Sequence, residues 1–442
     1  MYVGRRGKIR GIMESSLTVT TRLGFLAALV LVAPGLVHGQ PRDLVEEPSR
    51  AYGDEALPLE TEAYQHLFDY DFEAAEEIFE RLDDQFPDFA AGPYGRAAVI
   101  WTRVGQRVGA MRGSSHRGDR FWEQSGIAPV TDEEQQFFED QLEEARRRCE
   151  AVRQRDPGDL LNLYYLGAVE SMKAAWDGTV QRAYFSAGRA MRRAARLHRE
   201  VLETDPDFAD AYHAPGAQDY AIATLPRALR MLAFLFGMRG ERDRGLDWVA
   251  RTAHEGQRSR WGALWALALF MQREDRPEDA LTAVSTLREQ FPKNPDFALE
   301  EIGIRLYRGE TAEARDALLA FIDRREAGFG NYDLTTRGIP ELRLGESWLF
   351  EESWEEAEVA FSQGLQSSPP PDVRLMLHFR RGNARDGLGQ RQRALFDYNR
   401  VRQLGGDKVL ERWARDLRKT PWPAGAPEGS RPHPEGEESH PR

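Results

Sequence analysis

Few side chains in this sequence are spaced for chemistry. Histidines 66, 116, 198, 213, 254, 378, 433 and 440 are scattered, and none pairs with another His or with the single cysteine, Cys149, at ligand spacing. Zinc sites draw their ligands from short, regular spacings, so no metal and no other cofactor is expected. The one catalytic set worth carrying forward is His213, Asp219 and His254, which makes a hydrolase site only if the fold brings the three together. No Gly-x-Ser-x-Gly elbow, His-Glu-x-x-His, phosphate loop or dinucleotide fingerprint occurs. Cys149 falls on an apolar stripe and reads as a small packing residue, and His198 takes the equivalent place one unit later. The run Arg-Gly-Glu-Arg-Asp-Arg-Gly over 239–245 has no phosphate-loop spacing. It reads as a turn between helices, with glycines at positive φ and charges facing water.

The elements that would position these residues belong to a chain of 442 residues, long enough for two or three domains or one extended array. Apolar residues make up 41% and charged residues 30%, the balance of a chain that folds in water. The net charge is −12, and beyond residue 39 the remaining 55 basic and 71 acidic residues leave −16. A nucleic-acid binder needs a net basic face, so nucleic acid is not an expected partner. Only Lys8, Lys173, Lys293, Lys408 and Lys419 are lysines, so arginine richness reflects overall usage and marks no single Arg.

Residues 1–22 are basic, Leu23–Val37 is uncharged and apolar, and Val37-His38-Gly39 is short-chained. That layout predicts a secretory signal peptide over 1–39, cleaved after Gly39 and leading to a periplasmic or secreted bacterial protein. The apolar run is shorter than the roughly 20 residues of a membrane span. With one cysteine there is no intrachain disulfide, so packing must hold the fold. Residues 40–55 read as a linker, 56–420 as the structured array, and 421–442, rich in Pro, Gly and Glu, as a disordered tail.

Across 56–420 the apolar spacing is helical throughout. One pattern recurs: Ala, a bulky residue four on, an apolar residue three further, then Pro. It appears as Ala75, Phe79, Leu82, Pro87 and as Ala145, Cys149, Val152, Pro157. Ala194, His198, Val201, Pro206 follow, then Ala280, Val284, Leu287, Pro292 and Ala357, Phe361, Gly364, Pro369. Ala394, Tyr398 and Val401 continue it, as do Ala314, Leu318 and Phe321. Positions i, i+4 and i+7 share one helical stripe, Ala lets a neighbour approach, and Pro stops the helix. Asp beside the Pro, as in Asp156-Pro157 and Asp205-Pro206, is suited to cap the helix that follows. Thr131 with Glu134 predicts a capping box just after an insertion at 113–130.

Gly345 and Gly382 stand twelve residues before their alanines, and Gly95, Gly167 and Gly216 hold matching places. With Leu344-Gly345, Trp348, Trp354, Ala357, Phe361 and Pro369, segment 337–405 resembles the tetratricopeptide repeat. The resemblance implies an all-α solenoid of helix-turn-helix units stacked as a right-handed superhelix. First helices would line its concave surface. Carried over position by position, that surface would comprise Arg96, Tyr164, Met172, His213, Tyr220, Glu346, Phe350, Phe379, Asn383 and Asp386.

A second resemblance covers 207–250, from Asp210-Ala-Tyr-His-Ala-Pro-Gly216 through Leu225-Pro226 and Arg230 to Gly240-Glu-Arg-Asp-Arg-Gly245-Leu246. It is similar to the divergent tetratricopeptide family of yeast inclusion-body-clearance proteins and their animal relatives, with Glu241 where Asp is more usual. That resemblance implies helical repeats and association with proteins or lipid bodies, and no chemistry. Met231–Met238 is the most apolar stretch after residue 39 and is expected to be buried inside the array. The reading that follows is an exported scaffold, not an enzyme, for a protein or peptide partner. A lipid-associated factor using 231–238 is the alternative if that stretch is exposed. A hydrolase built on His213, Asp219 and His254 is the third.

Overall fold

A computed structural model describes residues 48–107, 130–225, 227–235 and 239–425. The signal-peptide span, most of the 113–130 insertion and the tail from 426 lie outside the described residues. Among the described residues every regular element is helical and no strand occurs. The chain divides into two compact units, one ending at Leu287 and the other beginning at Arg288.

The first unit runs α1 (Pro48–Phe68), α2 (Phe72–Gln85), α3 (Ala91–Arg107), α4 (Asp132–Arg155), α5 (Leu160–Thr179) and α6 (Tyr184–Thr204). A 3-10 turn over Ala209–Tyr212 leads into α7 (His213–Ala223), α8 (Arg227–Leu235), α9 (Arg242–Glu255) and α10 (Arg260–Arg273). Helix α11 (Pro277–Gln290) ends just beyond it. Successive helices pack as hairpins, α1 on α2, α5 on α6 and α7 on α9, and each pair leans on the next. The second unit holds α12 (Pro295–Tyr307), α13 (Thr311–Glu326), a 3-10 turn Tyr332–Leu334, α14 (Ile339–Phe350), α15 (Trp354–Gln366), α16 (Pro371–Gly387), α17 (Arg391–Leu404) and α18 (Lys408–Leu417).

The repeated alanines are where the spacing puts them. Ala75, Ala145, Ala280, Ala314, Ala357 and Ala394 are fully buried, as are Phe79, Cys149, Phe361 and Tyr398 four residues on. Where the bulky position carries a ring, that ring fills a notch left by a glycine. A Cβ at Gly95 would collide with the Phe79 ring, one at Gly345 with Phe361, and one at Gly382 would sit 2.6 Å from Tyr398. At Gly167 the intruder is His198, whose Nε2 would lie 2.8 Å away. Close helix approach therefore sets the glycines, and it is repeated in both units.

Helix ends follow the prolines. α2, α4, α6 and α11 each stop two residues before Pro87, Pro157, Pro206 and Pro292. The aspartates beside those prolines act differently from the expectation. Asp156 and Asp205 close the preceding helix and accept backbone N–H groups in the turn, from Gly158 and Asp207, each at 3.0 Å. The cap of α5 is instead Asp159, which accepts from Asn162 N at 2.8 Å. The Thr131–Glu134 capping box forms as the spacing requires, Glu134 N donating to Thr131 Oγ1 and Thr131 N to Glu134 Oε2.

Four further expectations are corrected. Gly240 and Gly245 do not take positive φ. They allow backbones to touch, since a Cβ at Gly245 would lie 2.6 Å from Tyr220 N and one at Gly240 2.5 Å from Ala223 N. The span expected as a linker to residue 55 overlaps α1, which starts at Pro48, and the span expected as tail from 421 includes the buried Trp422. Met231 and Phe234 of α8 are 68% and 54% exposed, against the expected burial of 231–238. A nine-residue helix turns only one narrow face inward, and Ala233 takes that place.

Candidate functional site

The inner helices of the first unit enclose a polar network with no counterpart in the repeat pattern. Arg258, in the turn before α10, donates from Nε to Glu60 Oε2 of α1 at 3.1 Å and from Nη2 to the Gly53 carbonyl at 2.8 Å. Tyr165 of α5 donates to the same Glu60 oxygen at 2.6 Å. Asp210 accepts the backbone N–H groups of Gln257, Arg258 and Ser259 at 3.1, 2.8 and 2.6 Å, and Ser259 shares a 2.7 Å hydrogen bond with the Tyr164 hydroxyl. All of these side chains except Gln257 are buried. Burial pushes the Asp210 carboxyl above its ordinary range, although three N–H donors pull it back. Burial likewise pushes the Tyr164 and Tyr165 hydroxyls up. For Arg258, Glu60 and its other acidic and phenolic neighbours outweigh a burial that opposes its charge, so its basicity rises further. The network staples α1 to residues some two hundred positions later. It is a structural bolt: its side chains bond one another and are buried, with Glu60 Oε1 alone among the carboxylate oxygens of Glu60 and Asp210 left without a partner.

Most of the side chains placed on the concave surface by resemblance are filled in by neighbours. Tyr164, Met172, His213, Tyr220, Phe379, Asn383 and Asp386 are all buried. Tyr220 stacks on Phe270 at 3.9 Å and donates to Glu274 at 2.9 Å. Asp386 accepts from the Tyr398 hydroxyl, from Trp422 N and from Arg391, and so ties residues after α18 to α16. Phe379 lies in the apolar cluster that also takes Trp413 and Trp422. Arg96 bridges Glu76 and Glu80 of α2 and lies over Phe137. The physical reason is crowding: side chains from adjacent first helices meet before any partner can.

What remains open lies on α14 of the second unit, where it packs beside α16. Phe350 is 46% exposed and stands four residues after Glu346, so the two share one helix face. Glu346 is partly exposed and accepts from Arg380 Nε of α16 at 2.8 Å. Three residues beyond Arg380, the Asn383 amide is buried and makes no hydrogen bond through either atom. Arg343, three residues before Glu346, donates to the Leu299 carbonyl of α12 at 3.0 Å. Sequence reasoning named Glu346, Phe350 and Asn383 but missed Arg343 and Arg380. Their position three residues before Glu346 and before Asn383 was the available signal.

The hydrolase set does not assemble. His213 is buried without a hydrogen bond, and burial lowers its pKa to about 4. Asp219 is held by Arg244 at 2.6 Å, near the start of α9. His254 is exposed ten residues farther along that helix, roughly 15 Å at 1.5 Å per residue. Cys149 is buried and its thiol is pushed up by burial. Among the described residues no group of three or more His, Cys, Asp or Glu is placed to hold a metal ion, and no helix is long and apolar enough to cross a membrane.

No family model matches this sequence, and no curated protein matches it either. Among solved structures it is similar to a tetratricopeptide repeat protein from Parabacteroides merdae, 14% identical over 64% of this chain and 92% of that one, with a TM-score of 0.32. It is also similar to yeast Tom70, at 11% identity over 85% and 89% of the two chains and a TM-score of 0.35. The human IFIT1 dimer with m7Gppp-AAAA matches at 13% identity over 91% of this chain and 87% of that one, TM-score 0.34. The fold is a tetratricopeptide-like array of helix pairs. That statement rests on the stacked hairpins and glycine notches of this chain itself.

Proposed function

We propose that this chain is an exported, non-catalytic scaffold that holds a segment of another protein on the α14–α16 face of its second unit. The observation that supports the reading is the pair Phe350 and Glu346, an exposed aromatic and a partly exposed carboxylate one helical turn apart and braced by Arg380. Aromatic anchors beside paired charges are the composition of protein contact surfaces. Because stacked helices hold that face in place, a partner does not have to order it on binding. The N-terminal signal layout supports export.

The test is affinity capture from a bacterial envelope extract with the full chain and with Phe350→Glu as matched baits. A protein retained by the first and lost by the second, with equal helicity in both, is the expected result. Identical captured sets would overturn the assignment of this face. Sequencing of the exported protein's N-terminus should begin at Gln40, and a start at the initiator Met would overturn cleavage.

A further inference from the structure

The exposed apolar residues of the first unit sit in stretches of sequence without acidic residues. In the second unit Phe350 is flanked in sequence by Glu346, Glu351 and Glu352, and Val359 by Glu355, Glu356 and Glu358. Leu319 stands between Asp316 and Asp323, while Phe329 and Phe396 have both arginines and acidic residues nearby in sequence. Among the described residues of the first unit the large exposed apolar side chains are Phe185, Met231 and Phe234, and the charged residues flanking them are arginines. No acidic residue occurs between Asp219 and Glu241, or between Asp177 and Glu200. In a chain of net charge −12, two acid-free stretches that coincide with the exposed apolar side chains of one unit form a pattern.

On α8 the geometry is specific. Met231 and Phe234 are three residues apart and share one face, and Arg227 and Arg230 are exposed beside them. Arg239 lies over the Phe234 ring, 5.0 Å from its centroid. Arg230 donates to the Ala223 carbonyl, and among the described residues none of the three arginines meets a carboxylate. Many arginines elsewhere are paired with Glu or Asp, as in Arg147–Glu144 and Arg385–Glu358. Phe185, 83% exposed at the start of α6, repeats the arrangement with the exposed Arg189 four residues on.

We infer that the α8 face of the first unit docks on an anionic lipid bilayer, with Met231 and Phe234 entering the headgroup–acyl boundary and Arg227, Arg230 and Arg239 resting on lipid phosphates. An anionic membrane surface offers fixed negative charge directly above hydrocarbon, which is the combination these side chains match. An acidic protein partner satisfies the arginines but would need its own pocket for Met231 and Phe234. The inference stands apart from the protein-binding reading, which uses a different unit.

Cys149 is buried, so a thiol introduced by Met231→Cys in the full chain is the one open to an environment-sensitive dye. The dye is read with phosphatidylcholine vesicles containing or lacking phosphatidylglycerol. The expected result is a blue shift, with quenching by doxyl-labelled lipid, on the anionic vesicles only. Adding Arg227→Glu and Arg230→Glu should weaken apparent affinity by at least about tenfold, each basic residue near such a surface contributing several-fold. Raised salt should weaken it too. No shift on anionic vesicles, an equal shift on neutral ones, or an unchanged affinity in the doubly reversed variant would overturn the inference. A shift produced by polyglutamate and not by vesicles would overturn it in favour of an acidic protein.

Discussion

Glu60 and Arg258 form a buried ion pair, Nε to Oε2 at 3.1 Å, between residues 198 positions apart. The pair fastens the first helix of the array to the turn that opens α10, and Tyr165 completes it. Nothing about the local sequence of either residue calls for the other.

Breaking this pair from one side should be costly. Arg258→Met leaves the Glu60 carboxylate buried with only the Tyr165 hydroxyl, and a loss of about 3–5 kcal/mol is expected. The double variant Glu60→Met with Arg258→Met should recover most of it, since two apolar side chains leave no charge stranded. Urea unfolding followed by circular dichroism measures both. Equal losses in the single and double variants would show that the pair itself is not what binds α1.

The glycine notches predict opposite signs for the same substitution. At Gly345 an added methyl meets the Phe361 ring, so Gly345→Ala should cost about 1–3 kcal/mol of overpacking, set against an intrinsic helix gain of about 1 kcal/mol. Coupling it with Phe361→Leu should return part of the loss. Gly188, inside α6, has nothing within 4 Å of a Cβ, so Gly188→Ala should stabilise by up to about 1 kcal/mol. Thermal melts of the three variants decide it. Destabilisation of similar size at both glycines would refute the notch account.

His198 and His213 make the first unit acid-sensitive. Both are fully buried and neither forms a hydrogen bond through its ring. Burial lowers the His198 pKa to about 3, with His213 adding to the effect and nearby carbonyls of Tyr164 and Ala194 opposing it. Burial lowers His213 to about 4. The unfolded chain takes up these protons near pH 6.5 and the folded chain does not. Their contribution is therefore complete above about pH 6.5 and is lost as pH falls toward 4 and then 3. By pH 5 each histidine should cost on the order of 2 kcal/mol. His198→Leu, close to it in volume, should remove its share. Denaturant midpoints of wild type and variant at pH 8 and pH 5 give the comparison, and an unchanged difference between the two pH values would exclude His198 as a contributor.

How far the molecule is legible without coordinates differs from feature to feature. The Ala–bulky stripe is readable because a helix repeats every 3.6 residues, so local spacing alone places Ala357 and Phe361 on one face. The Thr131–Glu134 cap is readable for the same reason: both partners lie within one turn. The α14 face was legible only in part. Glu346 and Phe350 follow from repeat position, but Arg380 reaches Glu346 from the next first helix, and only packing brings the two together. Tyr164 and Phe379 show the opposite failure, a correct repeat position whose side chain is consumed by its neighbours.

By itself the order of residues determined the helical class, the hairpin unit and the stripe each helix buries, because all three depend on interactions within a few turns of chain. Tertiary structure alone decided that Glu60 meets Arg258, that most of the inner face is filled and that Met231 and Phe234 face outward. Those outcomes depend on which distant helices share a neighbourhood. That is set by the summed packing of many stripes, and no single stretch of sequence encodes it.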